Sequence, residues 1–156
     1  MEKQLIQTLV KIAHHLNLHH IYWVLGGSLM LKLNGLVDDP QDIDLMVSLE
    51  DAEKADKVLK SLGSQLPKYS TQRYETQHFH EYLIDGVDVD MIAGFAINSK
   101  NIIYQFPLDQ SKFRESIELS DEIIYLDSLS VWLEYYRLMD RKDKVSIIEN
   151  HLKSGF

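Results

Sequence analysis

The sequence predicts an α/β protein, with strands interleaved with helices, on three observations. A short β-branched and aromatic run, Ile21 to Leu25, breaks at Gly26-Gly27 and passes into a helical pattern. The segments Asp42 to Val47, His78 to Ile84 and Val87 to Ile92 alternate polar and apolar residues with the two-residue period of a strand. Helical spacing of apolar residues marks both ends of the chain. A chain of 156 residues suits one domain with its own core, and no repeat, linker or low-complexity tract suggests a second. The expected division is an α/β core over 1–106 and a mainly helical extension over 107–156.

In order, residues 2–16 predict an amphipathic helix with Leu5, Leu9, Ile12 and Leu16 on one stripe. Two histidine pairs follow, His14-His15 and His19-His20. Adjacent helix residues point apart, so the pairs read as a solvated helix end rather than a chelate. Ile21 to Leu25 is a buried strand, and Ser28 to Leu33 a helix that turns Leu29, Met30 and Leu33 inward and ends near Asn34-Gly35. A loop marked by Asp38-Asp39-Pro40 leads to the strand Asp42–Val47. Ser48 and Asp51 have the spacing of a capping box, ahead of a helix burying Ala52, Ala55, Leu59 and Leu62. Gly63 is its expected C-cap. The pattern from Gln65 to about Phe95 is β, with Asp85-Gly86 as a two-residue hairpin turn. Residues 98–109 read as irregular. Ile123 to Leu126 is another strand, after which Asp127 or Ser128 caps a helix carrying Leu129, Trp132, Leu133, Tyr136 and Met139. A last helix over 144–153 packs Val145, Ile148 and Leu152.

Composition bounds the partners. There is no cysteine, which excludes disulfides and thiolate metal sites. The N-terminus has no long apolar run, so neither a membrane span nor a signal peptide is expected, and a cytoplasmic protein is. A net charge of −8, with no basic block beyond Arg141-Lys142 and Lys144, argues against long nucleic acid.

The chemistry is carried by carboxylates. In a strand, residues two apart share a face, so Asp42 and Asp44 project together while Ile43, Leu45 and Val47 enter the core. Two like charges so close repel, and a divalent ion removes the cost. Asp88 and Asp90 alternate with Val87, Val89 and Met91 in the same way. If that strand neighbours the first, its acids lie within about 5 Å of Asp42 and Asp44. Three carboxylates can then hold two metal ions that orient a displacement at phosphorus. At the Gly26-Gly27-Ser28 turn, free backbone N–H groups and a hydroxyl at a helix start favour an anion. Glycine there lets the backbone approach a phosphate.

Leu25-Gly26-Gly27-Ser28, thirteen intervening residues, Asp42-Ile43-Asp44-Leu45, and then Val89-Asp90-Met91-Ile92 together resemble the nucleotidyltransferase superfamily with the DNA polymerase β-like fold. The resemblance is nearest to small single-domain bacterial members: aminoglycoside and lincosamide nucleotidyltransferases, and nucleotidyltransferase-like partners of toxin–antitoxin systems. It covers residues 20–95 by motif. It implies a mixed sheet flanked by helices, Gly26, Gly27 and Ser28 at the triphosphate, and Asp42, Asp44 and Asp90 as catalytic and metal-binding carboxylates. Asp88 is the alternative third acid. Mg²⁺, as one or two ions, is the implied cofactor and a nucleoside triphosphate the implied substrate.

Two departures stand out. The loop Asp38-Asp39-Pro40-Gln41 has no cation where many members carry an arginine. Arg137 is the preferred replacement at the nucleotide, against a surface pairing with Glu134 or Asp140; Lys32, Arg141 and Lys142 are other cations in reach of the motif helix or tail. There is also no separate acceptor domain, so the acceptor would lie against the C-terminal helices or a second subunit of a homodimer. His78 and His80 read as sheet cover, and the tyrosines beside Trp132 as core. The expected function is transfer of a nucleoside monophosphate to a hydroxyl, with a small-molecule acceptor favoured over protein or tRNA by the acidic balance. The alternative is a binding or regulatory protein on the same fold, including a toxin–antitoxin partner.

Overall fold

The computed structural model describes residues 2–67 and 76–154. The part of the Gln65–Phe95 β expectation that covers 68–75 lies outside the described residues. In chain order the elements are α1 (Glu2–Leu18), β1 (Trp23–Gly26), α2 (Gly27–Leu33), β2 (Asp42–Val47), α3 (Ala52–Leu62), β3 (Ser64–Gln65), β4 (His78–Ile84), β5 (Val87–Ala93), β6 (Phe95–Ser99), β7 (Ile102–Phe106), β8 (Glu115–Leu119), β9 (Glu122–Leu126), α4 (Leu129–Leu138) and α5 (Lys142–Lys153). A short 3-10 turn, Leu49–Asp51, precedes α3.

Among the described residues, seven strands form one mixed sheet in the order β3-β4-β5-β2-β1-β9-β8, and β6-β7 pair separately. At its centre β2 lies antiparallel to β1 and parallel to β5, and β1 is parallel to β9. The two sheet faces differ in chemistry because side chains alternate. Trp23, Leu25, Ile43, Leu45, Val89 and Met91 share one face and are wholly buried. Their cover is α1 and α3. The Trp23 indole Nε1–H donates to Asn17 Oδ1 at the end of α1 (2.9 Å), and the Tyr82 hydroxyl on β4 donates to Asp56 Oδ1 on α3 (2.5 Å). The other face carries Val24, Gly26, Asp42, Asp44, Met46, Asp88, Asp90 and Ile92. α4 and the β6-β7 hairpin cover part of it through an aromatic cluster of Phe95, Phe106, Trp132 and Tyr135.

Several local expectations are corrected. Residues 98–106 are not irregular, though 107–109 are: β6 and β7 form a hairpin through Lys100-Asn101, both left-handed (φ 53° and 67°). β8 joins β9 in the same way through Ser120-Asp121 (φ 49° and 66°), adding a strand that the sequence pattern did not reveal. These pairs of positive φ are what a tight hairpin turn requires, but neither turn contains glycine, so the usual signal is missing. Ser48 and Asp51 do not make a capping box. The Asp51 carboxylate accepts instead from the Tyr22 backbone N–H (2.8 Å) and from Ser48 Oγ (3.2 Å), tying the start of α3 to β1. Gly63 is the C-cap of α3 as expected, but in an extended and not a left-handed conformation; glycine is needed because a Cβ there would strike the Leu83 carbonyl. Leu152 is half exposed, and α5 docks through Ile148. Ser128, not Asp127, caps α4, its hydroxyl accepting from Val131 N–H (3.4 Å).

Candidate active site

The register of the three central strands assembles the site. Gly26 faces Asp44 across the antiparallel β1-β2 pair, and the parallel β2-β5 pair sets Asp42 opposite Asp88 and Asp44 opposite Asp90. One oxygen from each of Asp42, Asp44 and Asp90 lies within 4.8 Å of the others, and all three are half-buried. Among the described residues no other three histidine or carboxylate side chains converge in this way. Asp88 shares the face but is exposed and outside the group.

The electrostatics fit a cation between these acids. Burial, and then the Asp88 charge, push the Asp42 carboxyl above its ordinary value, with a backbone hydrogen bond opposing them. A hard divalent ion is the species that oxygen donors at this spacing accept.

The glycine turn abuts the same acids. Gly27 has φ +64°, and a Cβ there would land on the Asp44 carboxylate. The absent side chain therefore makes room for the aspartate as well as for the turn. Gly26 caps α2, and a Cβ there would run into the Trp132 indole. Ser28 follows in the first turn of α2.

α4 supplies the wall beside the turn, which the sequence did not signal as part of the site. Trp132 and Tyr136 have the helical spacing of ordinary core residues, and both are buried. The Trp132 ring lies over Gly26, and its Nε1–H donates to Asp127 Oδ2 (2.9 Å). Tyr136 sits against Trp132, with ring centroids 5.5 Å apart. Burial raises the Tyr136 phenol strongly; Asp44 adds to the rise and Arg141 opposes it, so the hydroxyl stays protonated. The Arg141 guanidinium lies 6.0 Å from the Tyr136 ring centre.

The other cations have different partners. Arg137 does not join the acids: its guanidinium pairs with Glu149 of α5 at 2.7 Å, a different acid from Glu134 or Asp140. Lys32 pairs with Glu2 on α1 at 3.3 Å. His14 bonds Glu122 (2.6 Å) and His80 bonds Gln65 (2.9 Å), both away from the carboxylates of β2 and β5. No helix of the described residues is long and apolar enough to cross a membrane.

The chain matches no protein-family model and no curated protein. Solved structures that share its fold include a candidate nucleotidyltransferase of Thermotoga maritima, TM1012, at TM-score 0.71 and 24% identity, over 96% of this chain and 92% of that one. They also include the lincosamide antibiotic adenylyltransferase LnuA with lincomycin bound, at TM-score 0.62 and 13% identity, over 96% of both chains. ANT(2")-Ia in complex with adenylyl-2"-tobramycin follows at 0.57 and 12%, over 97% of this chain and 90% of that one. At these identities the likeness shows the fold: the chain has the polymerase β-like nucleotidyltransferase architecture over nearly its whole length.

Proposed function

We propose that this chain, with its nucleotidyltransferase fold, transfers a nucleoside monophosphate from a nucleoside triphosphate to a hydroxyl of a small-molecule acceptor. One observation carries the reading: three carboxylates from two neighbouring strands converge within 4.8 Å beside a glycine turn at the start of a helix. Asp42, Asp44 and Asp90 would hold Mg²⁺, which when bound would supply charge neutralisation at the phosphates and acidify a bound hydroxyl. Gly27 and Ser28 offer backbone N–H groups and a hydroxyl to the phosphate tail. Asp90 takes the proton of the acceptor hydroxyl. The hydroxyl oxygen forms a bond to the α-phosphorus, the bond from that phosphorus to the bridging oxygen breaks, and pyrophosphate leaves with the electron pair. LnuA and ANT(2")-Ia, whose structures hold lincomycin and an adenylylated tobramycin, support a small acceptor on this fold.

The deciding experiment incubates the protein with Mg²⁺, each labelled triphosphate and a panel of hydroxylated amines, alcohols and tRNA. Pyrophosphate release with a labelled acceptor, abolished in Asp90→Asn, is expected. Triphosphate binding without product across the panel would favour the second reading, a nucleotide-binding regulator. That reading has its own observation. Loop 38–41 carries two acids and no cation, and Arg137 and Lys32 are already paired with Glu149 and Glu2.

A further inference from the structure

The acid-bearing face of the sheet does not end at the acids. Two residues further along each strand stand Val24 after Gly26 on β1, Met46 after Asp44 on β2 and Ile92 after Asp90 on β5, with the β1 direction reversed. These three floor a 760 Å³ cavity about 7 Å from the carboxylates, a volume within the ~300–1,000 Å³ of small-molecule sites. Phe95, Phe106 and Tyr135 wall it on one side, and the segment 107–114 on the other. The Phe113 ring at this lining is 90% exposed, an aromatic surface left uncovered by the described residues.

The polar groups of the lining are unevenly matched. Glu50, Asp109, Glu115 and Asp127 face Lys112 and Arg114. Arg114 is already committed: its guanidinium lies 3.9 Å from the Tyr22 ring centre and 3.6 Å from that of Tyr125, and it donates to the Trp23 carbonyl. Asp127 is the most enclosed of the acids. Each of its oxygens takes one hydrogen bond, from Ser128 N–H and from Trp132 Nε1–H (both 2.9 Å), and no cation among the described residues pairs with it. Burial raises its pKa despite those two bonds, the expected state of an enclosed carboxylate without a counter-charge.

We infer that this cavity binds an amine-bearing molecule with an apolar or aromatic body, its ammonium on Asp127 and its body against Phe95, Phe106, Tyr135 and Phe113. The apolar walls disfavour a polyol, and the acid excess disfavours an anion. Asp127 also accepts from the indole that lies over Gly26, so an occupant on Asp127 is one hydrogen bond removed from the ring that covers the glycine turn. That the occupant is the acceptor, presenting its hydroxyl past Trp132 toward Asp90, rests on the transfer reading above; that the cavity binds such an amine does not.

The test is calorimetric titration of the whole chain, without Mg²⁺ or nucleotide, with three probes: phenylalaninol, N-acetylphenylalaninol and glucosamine. Phenylalaninol is expected to bind and to shift the Trp132 indole N–H resonance while leaving that of Trp23 in place. Acetylating the amine, or the change Asp127→Asn, is expected to weaken binding about tenfold, the scale of one charge-assisted hydrogen bond. Val131→Trp, at a partly exposed lining position, is expected to abolish it, and glucosamine not to bind. No binding of phenylalaninol, equal binding of glucosamine, or affinity indifferent to acetylation and to Val131→Trp overturns the inference. If Asp127→Asn melts early by circular dichroism, the acetylated probe and Val131→Trp decide alone. Repeating the titration in Asp90→Asn separates the two readings. Binding there, with no transfer by the parent protein to any acceptor, sinks the transfer reading and leaves the cavity.

Discussion

Burial and the facing Asp88 charge hold the Asp42 carboxyl above its usual range, so this residue opposes folding at neutral pH. The sign follows from linkage. A carboxylate whose folded pKa is raised costs nothing below its unfolded value of about 3.9, and its cost grows as pH rises through the window between the two values. Asp42→Asn should therefore melt higher than the parent at pH 7 in the presence of a chelator, with the difference closing near pH 3. The same variant should lose pyrophosphate release. Equal melting temperatures at pH 7 would show that the repulsion is relieved in some other way. Gly27 has the opposite character, since nothing larger fits. Gly27→Ala must bear a left-handed backbone, costing about 1–2 kcal/mol, and also displace the Asp44 carboxylate. It should lower the melting temperature and weaken triphosphate binding together, read by thermal denaturation and calorimetry.

At the scale of elements, α3 is tied to the sheet by a polar knot. Asp56 accepts from the Tyr82 hydroxyl on β4 and pairs with Lys60 one turn along its own helix at 2.8 Å. Burial would raise the Asp56 pKa, but the bonds from Lys60 and Tyr82, with His80 nearby, outweigh it and lower it. The contribution is present above the unfolded carboxylate value and is lost as pH falls through the folded one. Asp56→Asn should destabilise by about 1–3 kcal/mol at pH 7 and by much less at pH 3, measured by urea denaturation. An equal loss at both pH values would mean that packing, not charge, holds α3. Elements also show what a sequence hides. Asp85-Gly86 announced its hairpin because glycine accepts φ > 0 without strain. Lys100-Asn101 and Ser120-Asp121 adopt the same left-handed pair without that residue, so the sequence signals neither hairpin.

For the molecule as a whole, the converging carboxylates predict linkage between metal and fold. Anything that binds the folded state alone stabilises it, by about 2.7 kcal/mol at one hundred times its dissociation constant. Adding Mg²⁺ should raise the melting temperature of the parent protein, and Asp90→Asn should remove most of the rise. A parent indifferent to Mg²⁺, with or without triphosphate, would separate the acidic group from metal binding altogether.

The sequence by itself determined the alternation that sends Asp42, Asp44, Asp88 and Asp90 to one face, the strand–turn–helix at Gly26-Gly27 and the helices at both ends, because side-chain period and glycine punctuation are local properties of the chain. Only the tertiary structure decided that β5 lies parallel to β2 with Asp90 level with Asp44, that Asp88 stays outside the group, that Arg137 turns to Glu149, and that Trp132 closes over Gly26 above a cavity holding Asp127. Those facts depend on strand order, register and helix docking. They join residues tens of positions apart, and no local period encodes such distances.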